Sequence, residues 1–143
     1  MINFKTGNMF KSTCQTIVNC VNIQGIMGGG LAWQFKQKYP TMYKDYKFAC
    51  QNGKLTIGTL HLYKELDKWI LNFPTKDFIE NDSTLEIIEI GLKEFCKIYK
   101  DLEITSIAWP KLGSGLGGLD YENVKPIMLK YLEILDINIE IYE

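Results

Sequence analysis

Hydrophobic positions along the chain change period several times, and each change marks an element. Short apolar runs rich in β-branched and aromatic residues, bounded by turn formers, predict strands over residues 2–6, 16–22, 59–64, 68–73, 105–109 and 137–142. Between them, apolar residues recur at helical spacing. Leu31, Phe35 and Tyr39 form one stripe, and Pro40 is expected to stop that helix. Residues 41–50 read as a second short helix, closed by Asn52-Gly53. The clearest helix begins at Ser83, where Ser83 and Glu86 have the spacing of a capping box. Leu85, Ile88, Leu92, Phe95, Cys96 and Tyr99 share its apolar face. A last helix buries Val124, Ile127, Met128, Tyr131, Leu132 and Leu135. Pro126 fits if its regular part starts near Asn123, leaving residues 120–122 as an irregular entry turn. Trp33 and Trp109 are assigned to the core. Strands alternating with helices predict an α/β fold, a three-layer α/β/α sandwich whose mixed central sheet carries helices on both faces. No repeat, low-complexity segment or linker interrupts the pattern, so residues 1–143 read as a single domain.

Composition narrows this little. The chain is 46% hydrophobic and 23% charged, the balance of an ordinary globular protein. No apolar run approaches the ~20 residues of a membrane span. The first residues, MINFKTGNMF, lack the basic and apolar regions of a secretion signal. A cytoplasmic monomer without membrane attachment is the expectation. Cys14, Cys20, Cys50 and Cys96 form no C-x-x-C pair and read as idle thiols, so no metal is expected. His61 is the only histidine, and it lies in a strand-like run, a poor basis for a His-dependent triad. A net charge of −1 argues against nonspecific nucleic-acid binding by the whole surface. Locally, Lys36, Lys38, Lys44, Lys47 and Lys54 cluster against Asp45 alone. They form either a solvated face or a flank that guides a nucleic-acid strand. Every basic residue is lysine, so bidentate phosphate or guanine contacts are not available.

The segment IAWPKLGSGLGGLD, residues 107–120, holds the main chemical signal. An apolar run stops at Pro110, Gly113, Gly115, Gly117 and Gly118 follow, and a helix start comes near Asp120. A strand, a glycine loop and a helix start together expose backbone N–H groups to a phosphate. Gly113, Gly115 and Gly118 satisfy G-x-G-x-x-G, but that dinucleotide motif belongs at the first βα turn of a long series. Here one helix and one strand remain, and no G-K-[ST] closes a P-loop. A second loop, Gly28-Gly29-Gly30 after the strand at residues 16–22, repeats the layout. Two such loops at the carboxyl ends of neighbouring strands suit a ligand with two phosphates and two riboses.

In VNCVNIQGIMGGGLAWQF and in this late loop the chain resembles the macrodomain family, the ADP-ribose-binding fold, over nearly its whole length and in order. Asn72-Phe73-Pro74-Thr75-Lys76 and Trp109-Pro110-Lys111-Leu112-Gly113 through Asp120-Tyr121-Glu122 are most similar to the bacterial DNA ADP-ribosyl glycohydrolase antitoxins that partner DarT toxins. They are less similar to the terminal ADP-ribose protein glycohydrolases. The resemblance implies that Asn8 reads adenine, that Met9 belongs to the ligand site and that Tyr142 packs on adenine. A tyrosine closing the core edge is the plainer alternative for Tyr142. It implies that Asn22 binds the distal ribose, beyond its role as a turn former. Gly28, Gly29 and Gly30 would let their loop approach the distal ribose and pyrophosphate, and Thr75 would also belong to the ligand site. Leu112, Gly113, Ser114, Gly115, Leu116, Gly117 and Gly118 would form the diphosphate loop.

Lys76 falls on the catalytic lysine of both families. Its amine would act at C1″ of the distal ribose, either as a nucleophile made neutral by burial or as a positioning cation. The protein-directed enzymes also use an aspartate where this chain has Gly117, so Gly117→Asp is expected to keep the fold. Asp120 is expected to cap a helix. The implied function is a cofactor-free ADP-ribosyl hydrolase that cleaves an N- or O-glycosidic bond. Its substrate would be an ADP-ribosylated macromolecule, with DNA favoured. The alternatives are a non-catalytic ADP-ribose reader and a hydrolase for protein-linked ADP-ribose or O-acyl-ADP-ribose. An ADP-ribosyltransferase toxin is the implied partner.

Overall fold

A computed structural model describes all 143 residues. The strands are β1 (Ile2–Lys5), β2 (Thr16–Val21), β3 (His61–Lys64), β4 (Trp69–Pro74), β5 (Ser106–Trp109) and β6 (Asn138–Tyr142). The helices are α1 (Gly30–Lys38), α2 (Pro40–Gln51), α3 (Leu85–Ile98) and α4 (Tyr121–Leu132). One six-stranded sheet runs in the order β1-β6-β5-β2-β4-β3. Its pairings are parallel except for β3, which lies antiparallel to β4. The sheet is therefore mixed, as expected. No helix is long and apolar enough to cross a membrane.

Alternation along the central strands sorts the core into two layers. Ile17, Val21, Ile70 and Ala108 face α1 and α2, where they meet Phe35, Met42 and Tyr46. Val18, Leu71, Phe73, Ile107 and Trp109 face α3 and α4, where they meet Ile88, Leu92, Phe95, Val124 and Met128. Trp109 makes edge-on contacts with Phe73 and Phe95, at ring-centroid distances of 5.8 and 5.0 Å. Trp33 departs from expectation. It is exposed on α1, on the side turned away from the buried Phe35.

Three boundaries differ from the sequence reading. Pro40 does not merely end α1; it is the first residue of α2, where its missing N–H costs nothing. It also holds Tyr39 out of the helical region, at φ −130° and ψ 70°, and so separates the two helices. The N-cap of α3 is Thr84, whose Oγ1 accepts from Ile87 N at 3.2 Å, so Ser83 and Glu86 do not form the capping box. Helix α4 starts at Tyr121, earlier than Pro126 suggested, with Pro126 inside it. Pro126 is exposed, so the carbonyl left without a helical partner faces water. A single 3-10 turn over Met9–Lys11, unmarked by any periodic pattern, follows β1.

Five of the six strands run parallel, so the loops after β1, β2, β4, β5 and the end of β6 meet at one edge of the sheet. The chain leaves β2 for α1 on one face and leaves neighbouring β5 for α4 on the other. That divergence opens a crevice at the carboxyl ends of the two central strands.

Candidate functional site

The crevice is a cleft of about 1310 Å³ lined by 28 residues. It runs from the loop after β1 and the end of β6, at Asn8, Met9 and Tyr142, to the loop after β4, at Thr75 and Lys76. Fourteen of the sixteen residues expected at the site line it: Lys76, Asn8, Met9, Asn22, Gly28, Gly29, Gly30, Thr75, Gly113, Ser114, Gly115, Leu116, Gly117 and Tyr142. Leu112 does not, because it is fully buried in the core against α3 and α4. Gly118 does not either. It turns the chain at φ +80°, with Asp82 on its open side.

The two glycine loops form the long walls. In the late loop Ser114 N donates to Lys111 O (3.2 Å), Gly118 N to Gly115 O (3.1 Å) and Leu119 N to Gly113 O (2.9 Å). This pattern uses none of the N–H groups of Gly115, Leu116 and Gly117. Gly113 has φ +68°, and a Cβ there would meet Leu119 Cδ1 at 2.9 Å, so the turn requires glycine. On the other wall Gly29 caps α1 without any side-chain hydrogen bond, and the first N–H claimed within the helix is that of Trp33. The first turn of α1, whose Gly30, Leu31 and Ala32 line the cleft, therefore keeps its N–H groups unclaimed, an arrangement that suits an anion. The start of α4 is not equivalent: Asp120 caps it with its own carboxylate, which accepts from Glu122 N at 3.0 Å. Leu116 spans the gap between the loops. Its Cδ1 lies 3.1 Å from where a Gly29 Cβ would stand.

Gly117 is more constrained than the sequence suggested. A Cβ there would collide with Ser83 Oγ and stand 2.5 Å from the Gly113 carbonyl oxygen. Against the expectation that Gly117→Asp keeps the fold stands this crowding, since the Gly113 backbone cannot move away cheaply. Ser83 N also donates to Gly117 O at 2.9 Å, which ties the loop to the start of α3.

Asn22 is buried and organises the early loop. Its Nδ2 donates to Ile26 O (2.9 Å), and its Oδ1 accepts from Gln24 N (3.0 Å) and from Tyr46 OH (2.9 Å). One Nδ2 hydrogen remains for anything in the cleft. Asn8 Oδ1 accepts from Phe10 N at 3.0 Å and so caps the 3-10 turn. Tyr142 OH donates to Glu140 Oε1 at 3.3 Å, while its ring lines the cleft. Burial raises the phenol above its ordinary pKa. Cys20, which the sequence reading left idle, lies on the cleft floor. Burial pushes its thiol up to about 11, so it is no thiolate nucleophile at neutral pH.

Lys76 is half-buried, and its Nζ donates to Ile79 O at 3.3 Å. That is not the enclosed apolar site that a buried nucleophilic amine required. Ile79 also lines the cleft and was missed, because no periodic or motif signal marks residues 77–82. His61 is remote from the cleft wall. Asn72 Nδ2 donates to its Nδ1 (2.9 Å), and its Nε2 donates to Asp45 (2.8 Å), with no hydroxyl or thiol against either nitrogen. A histidine-activated nucleophile is excluded by this geometry. None of Lys36, Lys38, Lys44, Lys47 and Lys54 lines the cleft.

A Macro domain family model matches residues 18–128. The chain is 38% identical over 147 residues to the DNA ADP-ribosyl glycohydrolase of Mycobacterium tuberculosis, an alignment that covers 99% of this chain and 42% of that protein. The chain thus spans about two fifths of the length of the DNA ADP-ribosyl glycohydrolases it matches. Among solved structures, the macrodomain of Thermus aquaticus DarG superposes with a TM-score of 0.94 at 37% identity, covering 100% of this chain and 98% of that one. Thermosipho africanus DarTG in complex with ADP-ribose superposes with a TM-score of 0.94 at 38% identity, covering 99% of this chain and 41% of that one.

Proposed function

The chain belongs to the Macro domain family, and on that premise we propose that its cleft holds ADP-ribose and that it hydrolyses the bond joining ADP-ribose to modified DNA. The observation that carries the reading is the Lys76 amine at one end of a cleft whose two walls present unclaimed backbone N–H groups. The adenine would lie at the Asn8 and Tyr142 end. The diphosphate would lie between the first turn of α1 and the N–H groups of residues 115–117, with Leu116 across it. The distal ribose would then reach Asn22, Thr75 and Lys76. Both riboses and both phosphates need a site of this length, and the late loop alone would not supply it.

In the reaction water adds its oxygen to C1″, and the C1″–base bond breaks. The bonding electron pair leaves with the base, which takes up the proton. Positive charge develops on the ribose ring as the bond lengthens. A half-exposed amine bound to a carbonyl suits a cation that positions the ribose and the departing base, rather than a desolvated nucleophile. The absence of a carboxylate at Gly117 favours the DNA-directed branch over the protein-directed one. An ADP-ribosyltransferase that installs the group is the partner reaction this activity implies.

Lys76→Ala is expected to lose hydrolysis of ADP-ribosylated DNA by a factor of about a hundred or more, about 2.7 kcal/mol at ~1.36 kcal/mol per decade. Affinity for ADP-ribose should change far less. Lys76→Arg should retain substantial activity, because arginine keeps the charge. Full turnover in Lys76→Ala would remove this residue from the reaction. A parent protein that binds ADP-ribose but cleaves nothing would be a reader.

A further inference from the structure

The Lys76 end of the cleft is bordered by apolar side chains that point outward. Ile26, Phe78 and Ile79 are 42%, 46% and 47% exposed. They are held there by a hydrogen-bonded lip. Ile23 N donates to Asp77 O (3.1 Å), and Ile79 N donates to Gln24 Oε1 (2.7 Å), which joins the loop after β2 to the loop after β4. Asp77 Oδ1 accepts from Phe78 N (2.7 Å) and Asn81 Nδ2 (3.0 Å), which fixes the turn that presents Phe78. These bonds hold the carboxyl of Asp77 below its ordinary pKa. A rigid loop that keeps large apolar groups in water marks a contact surface.

Helix α2 supports this lip from below. Tyr43 OH donates to Gly25 O (3.0 Å), and Tyr46 OH shares its one proton between Asn22 O (2.7 Å) and Asn22 Oδ1 (2.9 Å). A Cβ at Gly25 would stand 3.3 Å from Lys47 Cγ, so Lys47 lies directly against the lip. Lys44, Lys47 and Phe48 are three and four residues apart and share the exposed side of α2. Phe48 is 58% exposed. Lys36 adds a third cation nearby, with its Nζ 4.5 Å from the centre of the Tyr43 ring. The single acid on α2 in this stretch, Asp45, has its carboxylate bound to His61. The opposite flank of the lip has the reverse charge, with Asp77, Glu80 and Asp82 in one short run.

From this asymmetry we propose that a single DNA strand carrying the ADP-ribosylated base leaves the cleft over the Ile26 and Gly25 side of the lip. It then runs along the exposed face of α2, with a base against Phe48 and phosphates near Lys44 and Lys47. This rests on the reading that DNA is the substrate. The chemistry is that of a sequence-tolerant single-strand site: flat apolar or aromatic surface for unstacked bases beside point charges for phosphates. The acidic flank would repel the phosphates, so the strand has one exit. The lip also separates the modified base, held at Lys76, from its neighbours.

The test compares two substrates with the same glycosidic bond: a single-stranded oligonucleotide with one ADP-ribosylated base at its centre, and that base as a mononucleotide. Lys47→Glu combined with Phe48→Ala should raise KM for the oligonucleotide about tenfold or more and flatten its dependence on salt. Mononucleotide kinetics and ADP-ribose affinity should stay within about twofold of the parent. Glu80→Lys on the other flank removes repulsion and should not raise the oligonucleotide KM. The proposal is overturned by an unchanged oligonucleotide KM in the double variant, by equal losses on both substrates, or by an effect confined to Glu80→Lys. A parent that cleaves neither substrate would bring down the DNA reading itself. A parent that cleaves both, with no response to the α2 changes, would remove the strand path alone.

Discussion

Gly117 and Gly115 stand two residues apart in the same loop and should respond oppositely to substitution. At Gly117 a side chain meets Ser83 Oγ and the Gly113 carbonyl, and neither is the flexible end of a long side chain. Gly117→Asp is therefore expected to cost about 1–3 kcal/mol of stability and to lower the melting temperature by several degrees. Thermal unfolding without ligand measures this, and an unchanged midpoint would show that the loop relaxes. At Gly115 an added Cβ meets nothing within 4 Å. Gly115→Val should keep the parental midpoint yet fill the wall of the cleft and abolish ADP-ribose binding by calorimetry. Parental affinity in Gly115→Val would mean that this loop is not where the phosphates lie. The sequence made both glycines legible as loop residues, since strand, glycines and helix start follow one another in order. It could not separate them, because Gly117 is constrained by the way the loop folds back on the Gly113 carbonyl and by Ser83, more than thirty positions away. Leu112 was misplaced for the same reason. Its loop context is visible in the sequence, whereas the α3 and α4 side chains that bury it arrive through the fold.

The start of α3 shows what periodicity leaves open at the scale of an element. The apolar face of this helix, Ile88, Leu92 and Phe95, is set by residues three and four apart, and it was legible from spacing. The cap was not, because Ser83 and Thr84 are both good N-caps and adjacent. Tertiary structure decides between them by drawing Ser83 under the late glycine loop, where its Oγ is buried without a partner. Thr84→Ala should cost about 1 kcal/mol of stability. Ser83→Ala should cost less, since it removes an unpaired hydroxyl and leaves the Ser83 N to Gly117 O bond intact. Denaturant midpoints at constant slope would measure both. A larger loss in Ser83→Ala would restore the capping box. Pro40 and Pro126 teach a related lesson. A proline signals a restricted position, but whether it ends one helix, opens the next or sits on a wet face depends on what surrounds it.

At the scale of the whole molecule, the cleft exists because β2 and β5 are neighbours whose following helices go to opposite faces. Each glycine loop is thus rooted in a different core layer. Leu116 reaches from the late loop to beside Gly29 and Gly30 of the early one, and an apolar side chain can form no hydrogen bond there. A ligand gripped by both loops would join the two layers in a way the protein alone does not. ADP-ribose should bind in the micromolar range, about −8 kcal/mol at a Kd of 1 μM. At a hundredfold excess over Kd it should stabilise the fold by about 2.7 kcal/mol. AMP offers only the adenosine end and one phosphate, so it can fill the Asn8 and Tyr142 end without reaching the first turn of α1 and Lys76 together. It should bind far more weakly and raise the melting temperature correspondingly less at equal concentration. Calorimetry and thermal unfolding with the two ligands in parallel make the comparison. Equal affinities would confine recognition to the adenosine end and leave the early glycine loop without a part in it. The absence of both heat and thermal shift with ADP-ribose would separate this chain from the ligand chemistry proposed for its cleft.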